Sequence, residues 1–138
     1  MKVLALIAML FFLEGNAHAA AVILDWDASN DSDLAGYKVY YQADTPSLPF
    51  QGTGAVEGAA PIDVANVLTE TVSGLDSQKT YYFAVTAYNS AGLESVYSNI
   101  IMITPDGWDG SIKTAHTSWC KIVKTGNSST VKVRFGGQ

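Results

Sequence analysis

Apolar residues along most of this 138-residue chain recur at every second position. Val22, Leu24 and Trp26 alternate with Ile23 and Asp25. Tyr37, Val39 and Tyr41 alternate with Lys38, Tyr40 and Gln42, and Tyr81, Phe83, Val85 and Ala87 alternate with Tyr82, Ala84, Thr86 and Tyr88. A strand turns successive side chains to opposite faces, so each set is one core-facing side of a strand. Shorter candidates are Ile62 to Val64, Thr69 to Val72 and Asn99 to Thr104, parted by turn-rich runs such as TPSLPFQGTG and SGLDSQ. No segment beyond residue 19 carries a long helical period. Short strands with turn signals between them predict an all-β fold, an antiparallel sandwich.

The first nineteen residues follow another logic. Lys2 precedes an unbroken apolar run over residues 3–13, and Ala17-His18-Ala19 is a small-x-small pattern ahead of Ala20. The run is too short to span a bilayer and has small residues behind it, the pattern of a secretory signal peptide over residues 1–19. The expected product is secreted (extracellular, cell-surface or periplasmic), without membrane insertion after cleavage. It has 119 residues, enough for one domain that folds without a metal or disulfide scaffold. Cys120 is the single cysteine, so no internal disulfide forms. Beside Trp119, Ile122 and Val123 it reads first as a small buried strand residue.

Charge is divided unevenly. Residues 20–105 hold ten acids against Lys38 and Lys79, a net −8, whereas residues 106–138 hold five cations against two acids, a net +3. An acidic body repels nucleic acid and anionic membrane, so neither is an expected partner. Beyond the leader the chain has one histidine, His116, one cysteine and one arginine, Arg134. That is a poor stock for nucleophilic or metal catalysis, and His116 with Cys120 supplies only two ligands. No enzyme activity, cofactor or metal site is expected.

Three motifs then converge on a family. Trp26 follows the first alternating run, DLAGYKVYY spans Asp33 to Tyr41, and LDSQKTYYFAVTAYNSAGLES spans Leu75 to Ser95 with Tyr81 six residues after Leu75. In this order and spacing they resemble the core tryptophan, third strand, tyrosine corner and sixth strand of a fibronectin type III domain, as carried by bacterial exported proteins. The resemblance covers about residues 22–105 and leaves the C-terminal tail unmatched. It implies a fibronectin type III or immunoglobulin-like sandwich over residues 20–105, followed by a C-terminal β-hairpin extension over 106–138 that packs on it.

Asp25, Asp27, Asp31 and Asp33 crowd the segment between the first two long strands. Counted from Asp25, a helical-hand calcium loop would need glycine where Asn30 stands and glutamate where Gly36 stands, so the segment reads as a polar turn. Integrin attachment through Arg-Gly-Asp is excluded, since Arg134 is followed by Phe135. Tyr40, Tyr82 and Tyr88 should project outward from neighbouring strands, either as sheet-covering strand formers or as flat faces for sugar rings or partner side chains. The reading is a non-catalytic exported interaction or structural module for protein, cell-surface or extracellular matrix contact. The alternative is a carbohydrate-binding accessory domain using those tyrosines, with a surface polysaccharide as partner.

The tail contains a turn-rich connector, DGWDG, and two strand-like runs, TSWCKIVKT and TVKVRF. A two-stranded hairpin alone is marginal, so it must pack on something. The family's first strand is absent or vestigial ahead of Val22, which leaves an open edge on the strand Val22 to Trp26. TVKVRF, with Val131, Val133 and Phe135 as its apolar set, is the strand-completing candidate. It either folds back within the chain or inserts into a second copy in self-association. Deleting residues 129–138 should therefore strongly lower the urea midpoint of the domain; an unchanged midpoint would end the idea.

Overall fold

The structure is a computed structural model that describes residues 19–109, 121–124 and 130–135. Eight strands run in the order β1 (Ala19–Trp26), β2 (Leu34–Ala43), β3 (Ile62–Asp63), β4 (Thr69–Asp76), β5 (Tyr81–Asn89), β6 (Ile101–Ile103), β7 (Lys121–Lys124) and β8 (Thr130–Phe135). They form two four-stranded sheets, β4-β1-β8-β7 and β3-β2-β5-β6. Every pairing is antiparallel except β1 with β8, which is parallel. Among the described residues no helix is long and apolar enough to cross a membrane.

The period-two pattern becomes the core. Val22, Leu24 and Trp26 of β1 face Tyr37, Val39 and Tyr41 of β2 and Tyr81, Phe83 and Val85 of β5 in one buried cluster. Trp26 lies 5.6 Å from the Tyr37 ring. Its indole nitrogen finds no acceptor among the described residues, so apolar contact rather than hydrogen bonding holds it there. The strand over Thr69 to Val72 runs on to Asp76, while the one sought over Asn99 to Thr104 is only Ile101–Ile103. β4 extends through a bulge, with Ser73 and Gly74 standing against the single residue Ala21. Gly74 has a φ of 74°, the left-handed conformation that such a bulge assigns to glycine.

Two segments read as turns contribute to the packing. The first four residues of DGWDG lie in a short 3-10 helix, Pro105–Asp109, which buries Trp108. The Trp108 ring meets Tyr81 edge-on at 6.1 Å, and its Nε1 donates to the Lys79 carbonyl at 3.3 Å. The Tyr81 hydroxyl accepts from the Asp76 amide at 3.2 Å, which closes the tyrosine corner. TPSLPFQGTG belongs to the 44–61 loop, which buries Phe50 completely. Tyr41 pins that loop, donating through its hydroxyl to the Gly58 carbonyl and accepting from the Ala55 amide. Farther along, the Glu57 carboxylate accepts from both the amide and hydroxyl of Ser73, and Val56 donates to the Ser73 carbonyl. The loop thereby shields the outer edge of β4 at Ser73.

Beside the other edge of β1 runs β8. Its register sets Val131 opposite Val22, Val133 opposite Leu24 and Phe135 opposite Trp26. Residues 1–18, where the leader pattern falls, lie outside the described residues, as do His116, Trp119 and Cys120.

Replacing Trp26 by alanine should cost about 3–5 kcal/mol of stability, because it leaves a large cavity between two packed sheets. Urea denaturation of Trp26→Ala measures this directly, and a loss below about 1 kcal/mol would contradict the burial.

Candidate functional site

The face of the second sheet turned away from the core carries the side chains that can meet other molecules. Its register places Gly36 opposite Tyr88, Lys38 opposite Thr86, Tyr40 opposite Ala84 and Gln42 opposite Tyr82. Residues opposite one another in an antiparallel pair share a face, so Tyr40, Tyr82 and Tyr88 all stand on this one. Gly36 makes room for the end one: a β-carbon there would lie 2.6 Å from the Tyr88 hydroxyl.

The 90–100 loop between β5 and β6 folds onto this face. Asn89 organises its first turn, accepting through its side-chain oxygen from the amides of Ala91 and Leu93. The Asn89 carboxamide also donates to Asp33 at 3.0 Å, tying the loop to the 27–33 turn. Beyond the turn, Ser95 and Ser98 donate their amides to the carbonyls of Ala87 and Val85. Their hydroxyls accept from the amides of those same two residues, taking the place of backbone acceptors along β5.

Between those anchors Glu94 reaches back over the sheet. One carboxylate oxygen accepts from the Tyr40 hydroxyl at 2.5 Å and the Thr86 hydroxyl at 2.7 Å; the other accepts from the Lys38 ammonium at 2.9 Å. Burial pushes the Glu94 carboxyl up, but the hydrogen bonds from Tyr40, Lys38 and Thr86 outweigh it and hold its pKa below the ordinary value. The same contact raises Lys38, chiefly through its hydrogen bond to Glu94. Burial, seconded by the Glu94 hydrogen bond, raises the Tyr40 phenol. Lys38 also sits 5.3 Å from the centre of the Tyr88 ring, and the Tyr88 hydroxyl donates to Asp63 at 2.9 Å.

All three tyrosines therefore have partners within the chain. Tyr40 leans on Tyr97 with ring centres 4.7 Å apart, and Tyr82 neighbours Phe50 at 6.3 Å. Phe50 and Tyr97 in turn stack at 5.8 Å. Sequence reasoning singled out the tyrosines but not Glu94, Phe50 or Tyr97, which come from loops without periodicity. Only the lone acid in NSAGLESVYS, facing a strand with alternate Lys38 and Tyr40, carries a signal in retrospect.

At the end of the face an open groove of about 240 Å³ separates the 27–33 turn from the 90–100 loop, lined by Asp31, Asp33, Leu34, Tyr88, Leu93 and Glu94 among others. The acidic turn is internally bonded there. The Ser29 hydroxyl donates to Asp31, and the Ser29 amide donates to the Tyr37 hydroxyl. Among the described residues no group of three or more His, Cys, Asp or Glu is placed to hold a metal ion. The loop also exposes large apolar side chains: Val96 at 89% and Leu93 at 70%. With Val56 of the 44–61 loop, at 77%, these are the most exposed large hydrophobics among the described residues.

A two-sheet fold with a tyrosine corner and a tryptophan buried at the end of β1 defines a class of β-sandwich module. The chain belongs to the fibronectin type III family, matching the fibronectin type III domain over residues 13–104. That domain is typically a non-catalytic binding or structural module, and the match brings no catalytic family with it. The chain is also similar to a Kelch domain-containing protein of Saccharolobus solfataricus, 54% identical over 44 residues. That stretch covers 32% of this chain and 6% of the relative, so the chain spans a small fraction of the relative's length. No solved structure matches significantly.

The Glu94 contacts carry a pH signature. The folded-state carboxyl is depressed below the ordinary value of 4.5, so between the two values the folded chain binds fewer protons than the unfolded one. The stabilisation is complete above the ordinary value and is lost as pH falls through the folded-state value. Thermal melts from about pH 7 to about pH 3 should fall more steeply for the wild type than for Glu94→Gln. At neutral pH the variant should lose about 1 kcal/mol, since the Lys38 pair is partly exposed and screened. Glu57 shifts in the same direction but is common to both chains, so the difference isolates Glu94.

Proposed function

We propose that the protein is an exported, non-catalytic interaction module that meets a protein partner through its 90–100 loop. The observation that carries this is the pairing of rigidity with exposure. Leu93 and Val96 stand in solvent on a loop held at both ends by Asn89, Ser95 and Ser98 and in its middle by Glu94. An apolar side chain on a pre-ordered loop binds without a large ordering cost, which favours it as an anchor. The net charge of −8 over residues 20–105 favours a partner whose rim is basic. Export rests on the leader pattern of residues 1–19 and places the module outside the membrane, at the cell surface, in the extracellular space or in the periplasm.

The carbohydrate reading has weaker support. Sugar rings stack on free aromatic faces, whereas Tyr40 and Tyr82 pack beside Tyr97 and Phe50, and the hydroxyls of Tyr40 and Tyr88 are spent on Glu94 and Asp63. Two variants separate the readings. Leu93→Ser with Val96→Ser should abolish retention of the labelled protein on its source cell surface while shifting stability by less than about 0.5 kcal/mol, as surface changes do. Glycan-array binding that disappears in Tyr82→Ala with the fold intact would instead establish the carbohydrate function.

A further inference from the structure

We infer that the groove between the 27–33 turn and the 90–100 loop receives an arginine side chain of the protein partner. This rests on the reading of the 90–100 loop as the interaction surface and names the residue type that the loop meets. At about 240 Å³ the groove lies below the roughly 300–1,000 Å³ of pockets that enclose a whole small-molecule ligand, so it suits a single side chain. Its walls are set before anything binds. Asp33 accepts from the Asn89 carboxamide at 3.0 Å and, through its carbonyl, from the Ser90 amide at 3.1 Å, which ties turn and loop together. On the loop side the Asn89 amide donates to the Leu93 carbonyl at 3.0 Å, and on the turn side the Leu34 amide donates to the Asp31 carbonyl at 3.3 Å. A groove held in this way has little freedom to lose on binding.

Charge and wall chemistry select the occupant. Among the described residues Asp31, Asp33 and Glu94 line the groove and no Lys, Arg or His does. Glu94 is already paired with Lys38. The other two carboxylates receive only neutral donors among the described residues, Asp31 from the Ser29 hydroxyl and Asp33 from Asn89, so two negative charges stand unanswered beside Leu34 and Leu93. An arginine lays its methylenes along such apolar walls and turns a planar guanidinium with five donors toward the carboxylates. Lysine brings a compact, strongly hydrated point charge without that fork. A metal ion lacks ligands, since no group of three or more His, Cys, Asp or Glu among the described residues is placed to hold one. Leu93 and Val96, exposed at 70% and 89%, require apolar surface around the cation, which a protein supplies and a free amine does not.

The exported chain, labelled with nitrogen-15, is titrated by NMR with the end-blocked peptide Gly-Leu-Arg-Leu-Gly and with versions carrying lysine or citrulline, the neutral isostere, in place of the arginine. The arginine peptide should shift the amides of Asp31, Leu34 and Leu93 and bind more tightly than the lysine peptide, with the citrulline peptide weaker by at least about tenfold. Asp31→Asn with Asp33→Asn keeps an oxygen for Ser29 and for Asn89 to bond while removing both charges. That variant should weaken the arginine peptide at least about tenfold, with the melting temperature lowered by less than about 3 °C. Citrulline or lysine binding as well as arginine, shifts that survive the double substitution, or no shifts at the groove would each overturn the inference. If the groove ignores the peptide while Leu93→Ser with Val96→Ser still abolishes retention on the source cell surface, the inference falls and the interaction reading stands. Retention indifferent to Leu93 and Val96 sinks that reading instead, whatever the peptide does.

Discussion

The ladder between β2 and β5 is the constraint on which the rest depends. Nine residue pairs join the two strands, and alternate pairs go to opposite sides. One set gives Tyr37, Val39, Tyr41, Phe83 and Val85 to the core; the other puts Lys38, Tyr40, Tyr82 and Tyr88 outside. A slip of one residue would exchange the two sets, burying Lys38 and exposing Val39, so the register is strongly specified. The bulge at Ala35, between the pairs Leu34 with Asn89 and Gly36 with Tyr88, re-aims the strand at the end where the 27–33 turn meets the 90–100 loop.

The first sheet answers a different demand. β1 is its centre of packing, and a buried strand must satisfy backbone groups on both edges. β4 serves one edge and is itself shielded at Ser73 by the 44–61 loop. The other edge, where the family ordinarily places its own first strand, is taken by β8 from the far end of the chain. Its parallel direction accords with the six strands that separate β1 from β8 along the chain, since parallel neighbours cannot be joined by a tight turn.

On the outer face, one carboxylate gathers donors from both strands of the ladder. Because Glu94 belongs to the loop while Lys38, Tyr40 and Thr86 belong to the sheet, the contact couples the loop's position to the rigid body beneath it. This arrangement lets a loop display Leu93 and Val96 without becoming mobile at its base. It also closes off the face as a broad aromatic platform, since the hydroxyls of Tyr40 and Tyr88 donate to the carboxylates of Glu94 and Asp63.

By itself the sequence determined the two faces of the long strands, and with them the sandwich, the buried Trp26 and the Tyr81 corner. A period of two is a local property, and six residues from Leu75 to Tyr81 is a local distance. The need for a partner along β1 was also legible, from the few residues between Ala19 and Val22. Only the tertiary structure decided what the loops do. Glu94 is 56 positions from Lys38 and 54 from Tyr40, and nothing periodic links them. Phe50 and Trp108 sit among prolines, glycines and aspartates that signal turns, yet both are buried. Whether an apolar side chain in such a turn reaches solvent or the body depends on the surface over which the turn passes. That surface exists only once distant strands have paired.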